Sequence, residues 1–136
     1  MTRKIYMLCP VTIADDRMTA KLYAYADMLE NDGCEVHLPP RDTEQDVDGF
    51  DICLENGAAI HMANEIHVFY NAKSKGSHFD LGIAFALDVF MGLKKKIILV
   101  ESDLVSEKYS LLDVVNGWIK HQDESMMYPD IDKVNM

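Results

Sequence analysis

Residues 71–82 run Asn71-Ala72-Lys73-Ser74-Lys75-Gly76-Ser77-His78-Phe79-Asp80-Leu81-Gly82. Two hydroxyls, a glycine, an imidazole and one carboxylate fall between Ser74 and Asp80. A polar, glycine-containing loop ahead of an apolar helix turns backbone N–H groups toward whatever lies above it, and such helix starts take anions. Ser74, Gly76 and Ser77 could therefore cradle a phosphate, or form an ordinary Gly/Ser turn. Asp80 falls in the first helical turn, where the ionised form is favoured. A carboxylate there suits a nucleophile or an oxocarbenium stabiliser better than a proton donor. Ser77-His78-Phe79-Asp80 also fits a capping box, with Ser77 as the cap and Asp80 reaching back. His78 is the nearest titratable group that could act as a proton donor, although a helix points it elsewhere than Asp80.

The surrounding pattern supplies the elements that hold this loop. Residues 4–11 read as a first strand, apolar on both faces and so covered on both. Met18, Leu22, Tyr25 and Leu29 recur at helical spacing within residues 15–32, and Gly33 supplies the stop. Residues 34–38 form a short second strand closed by Pro39-Pro40, and residues 41–48 are a polar loop. Phe50, Cys53, Leu54 and Ile60 mark a second helix ending near Asn64, weakened by Gly57. Residues 65–70 are a third strand. A helix from His78 to about Gly92 follows the loop, with Asp88 two turns beyond Asp80 on a solvated face. Residues 97–100 are a fourth strand, and Leu111, Leu112, Val115, Trp118 and Ile119 a last amphipathic helix.

Strand and helix alternating with short links predict an α/β fold: a doubly wound, flavodoxin-like three-layer sandwich with a mostly parallel sheet of four or five strands. Ligands of such sheets bind beyond the carboxyl ends of the strands, where Cys9-Pro10, Pro39-Pro40-Arg41, residues 71–77 and Glu101-Ser102 lie. The domain spans residues 1–121. Residues 122–136 are a polar tail carrying Met126, Met127 and Tyr128, either loose or packed on a neighbour.

At 136 residues and 49% hydrophobic, the chain has enough apolar material for a core. A net charge of −10 argues against a nucleic-acid polymer as partner, since that binding neutralises many phosphates. No apolar run is long enough to span a bilayer. The opening Met1-Thr2-Arg3-Lys4 leads straight into a strand, so the expected location is cytoplasmic. Cys9, Cys34 and Cys53 are odd in number and lack metal-ligand spacing, and His37, His61, His67 and His121 form no ligand set. No metal and no cofactor are expected. Neither GxxxxGK[ST] nor GxGxxG occurs, which removes the usual phosphate loops of ATPases and dinucleotide enzymes. A receiver-type phospho-acceptor would need an aspartate ending the third strand, where Tyr70-Asn71 stand.

Residues 56–60 and 63–70, with Ser74-Lys75-Gly76-Ser77-His78-Phe79-Asp80-Leu81-Gly82-Ile83-Ala84-Phe85, resemble the nucleoside 2-deoxyribosyltransferase superfamily. That group includes the 2′-deoxynucleoside 5′-monophosphate N-hydrolases. Residues 4–10 look like the family's first strand and turn, and the resemblance extends to about residue 100. It implies that Asp80 stands where the family has a glutamate nucleophile, one methylene longer. Ser74 matches a serine that the hydrolases use around the phosphate, where transferases have an aspartate. Asn56 falls near a family aspartate on the second helix, and Tyr6 lies on the strand that borders the base. By resemblance, Tyr6, Cys9, Asn56, Ser74, Gly76, Ser77 and His78 are the substrate-binding candidates and Asp80 the catalytic one. The implied ligand is a small nucleoside or nucleotide, in a homodimer or higher homo-oligomer whose subunits complete each other's site. The implied reaction is cleavage or transfer at an N-glycosidic bond. The competing expectation is a non-catalytic nucleotide sensor on the same scaffold.

Overall fold

The computed structural model describes residues 2–104 and 110–125. Its strands are β1 (Lys4–Leu8), β2 (Glu35–His37), β3 (Glu65–Tyr70) and β4 (Lys96–Ser102), and its long helices α1 (Asp16–Asn31), α3 (Gly49–Met62), α4 (Lys75–Phe85) and α5 (Leu111–Ser125). A single turn, α2 (Pro39–Asp42), follows β2. The four strands are parallel in the order β2-β1-β3-β4. Leu22, Ala26 and Leu29 of α1 pack on one face of the sheet. Ile60 of α3, Leu81 and Ala84 of α4, and Leu112, Val115 and Trp118 of α5 cover the other. Three layers result, as the alternation of patterns predicts.

The strand order reverses between β1 and β3, which makes their carboxyl ends the switch point where such sheets take ligands. β1 is shorter than expected because it stops before Cys9-Pro10, and proline has no N–H for the ladder. Residues 39–42, expected as the end of a strand and the start of a loop, close into α2, with Pro39 at a position where a missing N–H is harmless. α3 ends at Met62, two residues before the expected stop.

α4 starts earlier than the sequence pattern suggests. Ser74, not Ser77, is the cap, its Oγ accepting from the Ser77 N–H at 3.3 Å. The helix stops at Phe85 and widens into a π-helical turn over Ala86–Phe90. That extra residue per turn rotates Asp88 inward. Far from being solvated, Asp88 is 0% exposed. Its Oδ1 accepts from the Lys95 N–H at 2.7 Å, and its Oδ2 from Trp118 Nε1 at 2.7 Å and Gln122 Nε2 at 3.2 Å. Asp88 thus ties the π-helical turn to the start of β4 and to α5. α5 itself continues to Ser125, past the point at which residues 122–136 are expected to leave the domain. Met126, Met127 and Tyr128 lie outside the described residues.

Candidate active site

Asp80 sits in the second turn of α4, not the first, because the helix begins at Lys75. It is 7% exposed and faces β1, where the Tyr6 hydroxyl donates to its Oδ2 at 2.7 Å. The macrodipole therefore does not set its charge state. Burial pushes its carboxyl up to about 6, against the lowering effect of the Tyr6 hydrogen bond. At neutral pH it is still ionised, now by a narrow margin. Its other oxygen, Oδ1, makes no hydrogen bond among the described residues and is not sealed from solvent.

Tyr6 belongs to the core and to this cluster at once. It is 0% exposed, and burial followed by the Asp80 charge raises its phenol well above the ordinary value. Cys9, just past β1, is buried near the same carboxylate. Burial, then the charge of Asp80, push its thiol up to about 12, so it is a neutral wall of the site. The Tyr6 ring also stacks on His37, with centroids 5.6 Å apart and planes at 11°. Burial lowers the His37 imidazole below its ordinary value. Its Nε2 bonds Thr43 Oγ1 at 2.8 Å, and the Thr43 hydroxyl donates to Asn56 Oδ1 at 2.6 Å. Asn56 and Thr43 are both buried.

The switch point thus joins Asp80, Tyr6 and Cys9, and through Tyr6 reaches His37, Thr43 and Asn56. Sequence reasoning misses His37 and Thr43 as members of the site. Their signal is positional only: His37 ends the second strand on the ligand side, and Thr43 follows the Pro39-Pro40 turn.

The loop ahead of α4 is held by its own groups. Lys73 N–H donates to Asn71 Oδ1 at 2.9 Å, Ser74 N–H to Asn71 O at 3.1 Å, and Ala72 N–H to Asp103 Oδ1 at 3.2 Å. Ser74 and Ser77 are buried with their hydroxyls 2.8 Å apart, and Gly76 is exposed between them. His78 turns away from Asp80. Half-buried rather than exposed, its Nδ1 donates to the Ser74 carbonyl at 2.7 Å, which leaves Nε2 to accept from the Tyr70 hydroxyl at 3.2 Å. It opens instead on an apolar groove of about 200 Å³ between α4 and α5, lined also by Leu81, Phe85 and Trp118.

Among the described residues no group of three or more His, Cys, Asp or Glu could hold a metal ion. His67 bonds Glu65 and Tyr25, and Arg3 pairs with Glu65, a structural knot at the opposite end of β3. No described helix is long and apolar enough to cross a membrane.

No protein-family model and no curated protein matches the chain. Among solved structures, the CMP N-glycosidase BcmB of Clostridium botulinum is similar, with 22% identity, a TM-score of 0.54, and coverage of 83% of this chain and 80% of that one. The two proteins share a fold.

Proposed function

We propose that this chain cleaves the N-glycosidic bond of a nucleoside or nucleotide, with Asp80 attacking the anomeric carbon and water or a second base taking the sugar. The observation that carries the reading is the Tyr6–Asp80 pair. One carboxylate oxygen is fixed by a phenol at 2.7 Å while the other is uncommitted and open to an incoming ligand, in a largely buried side chain beside the switch point. A carboxylate so held is oriented for attack and ionised at neutral pH. Its raised affinity for protons marks it as more basic than a surface aspartate, a property common at reacting groups. Ser74, Gly76 and Ser77 at the start of α4 would meet a 5′-phosphate or 5′-hydroxyl. The N-glycosidase activity of BcmB, on CMP, supports the same bond class.

A second reading, nucleotide binding without turnover, is favoured by the side chain at position 80 being an aspartate, and by Asn56 standing where an acid is expected. The test is product release. Incubated with deoxynucleosides, ribonucleosides and their 5′-monophosphates, the protein is expected to liberate free base, read by chromatography. Thermal stabilisation by a nucleotide without any release would favour the second reading, and release that survives Asp80→Asn would remove Asp80 as nucleophile.

A further inference from the structure

We propose that Thr43 and His37 are positioning residues that set Asn56 as a hydrogen-bond donor to the departing base. The substrates would then be nucleosides whose base carries a keto oxygen or ring nitrogen beside the glycosidic bond and leaves as an anion. This rests on the N-glycosidic reading above.

The hydrogens of this chain of groups can be assigned one by one. The Thr43 hydroxyl has one hydrogen, and it goes to Asn56 Oδ1 at 2.6 Å. The bond from His37 at 2.8 Å must then carry its hydrogen on Nε2. With Oδ1 occupied, the amide cannot turn over without breaking that chain, and its Nδ2 makes no hydrogen bond among the described residues. Being absent from the sealed, unpartnered atoms, Nδ2 is open to solvent. Asn56 therefore presents two N–H donors and no acceptor. α3, which carries it, packs beside α4, which carries Asp80, and Gly57 comes within a methyl's reach of Ile83.

Apart from the Cys9 thiol, which burial makes a very weak acid, no other member of the cluster has a proton to lend. Tyr6 gives its hydrogen to Asp80, His37 gives its Nε2 hydrogen to Thr43, and His78 faces the Ser74 carbonyl. The amide of Asn56 does not titrate. The balanced step follows. The C1′–N bond breaks with its electron pair passing to the base, Asp80 Oδ1 bonds to C1′, and Asn56 N–H groups stabilise the charge that gathers on the base. The freed base takes a proton from water, and a second water cleaves the glycosyl ester.

The test compares the 5′-monophosphates of 2′-deoxyuridine and 5-fluoro-2′-deoxyuridine, whose fluorinated base is the better anion. Wild type should turn over the fluorinated substrate about tenfold faster, a change of about 1.4 kcal/mol in barrier. Asn56→Asp, which supplies a titrating proton, should flatten that preference. Thr43→Val frees the amide to turn and should lower kcat by about tenfold or more with KM within about twofold, and Thr43→Ser should restore it. In ¹⁵N NMR, His37 should be the Nε2–H tautomer. A His37 found with its proton on Nδ1, or base release that depends on Asp80 yet is unmoved by Thr43→Val and Asn56→Asp, overturns this proposal and leaves the N-glycosidic reading standing. Release of no base from any substrate removes both.

Discussion

Asp80 is the residue on which function and stability should pull in opposite directions, and Asp80→Asn exposes the conflict. The substitution keeps the size of the side chain and an oxygen to accept from Tyr6, and removes only the ionisation. Burial raises the folded-state pKa from the ordinary 3.8 to about 6. A carboxyl whose folded pKa is raised binds its proton more tightly in the native state. Its contribution to stability is complete below the unfolded value near 3.8 and is lost as pH rises through about 6. At 1.36 kcal/mol for each pH unit, the wild type forfeits about 2.5 kcal/mol between pH 4 and pH 8 on this ground alone, the unfolded carboxyl being already partly ionised at pH 4. The carboxamide of the variant titrates nowhere, so Asp80→Asn should gain about 2.5 kcal/mol on the wild type between those pH values, equivalent to roughly 5–10 °C in Tm. Urea unfolding at pH 4, 6 and 8, followed by Trp118 fluorescence and circular dichroism, measures the difference. Other titrating groups are common to both proteins and cancel. An advantage for Asp80→Asn that does not change with pH, or none at pH 8, would refute the claim that burial of this carboxylate sets its charge.

Three further outcomes are expected. Tyr6→Phe removes the donor that partly offsets burial, so the acid limb of kcat/KM, near pH 6 in the wild type where Asp80 ionises, should move to higher pH while kcat falls. Asp88→Ala strands the Lys95 N–H and the Trp118 indole N–H in the core and should destabilise by about 2–4 kcal/mol in urea unfolding, at about 1–3 kcal/mol for each orphaned donor. Ser74→Ala removes the α4 cap, lowering stability by about 1 kcal/mol. If these hydroxyls also meet a phosphate, the same variant should raise KM for a nucleoside monophosphate more than for the nucleoside, measured by base release.

The elements that local pattern dictates are legible in the chain. β3 can be read to the residue because Glu65–Tyr70 is bounded by polar residues on both sides, and α1 to within one residue at each end because Asp15 caps it and Gly33 ends it. Where two residues compete for one role, the sequence cannot choose. Ser74 and Ser77 are both good caps, and selecting the later one puts Asp80 in the first turn and assigns its ionisation to the wrong cause. Asp88 is misread for a different reason. Helical periodicity assumes a constant turn, and the π-helical stretch Ala86–Phe90 breaks it just where the phase decides between solvent and core. The His37–Thr43–Asn56 chain joins the end of a strand, a loop and a helix, and no spacing along the sequence announces such a meeting. The resemblance around residue 80 points to Tyr6, Asn56 and Asp80 together, and the fold brings them to one end of the sheet.

Most directly at stake is whether Asp80 becomes bonded to sugar. With a 2′-fluorinated deoxynucleotide to slow the second step, acid quenching, digestion and mass spectrometry should find the peptide carrying Asp80 heavier by the pentosyl phosphate, with one equivalent of base released. An unmodified Asp80 peptide alongside continued base release, undiminished in Asp80→Asn, would contradict it.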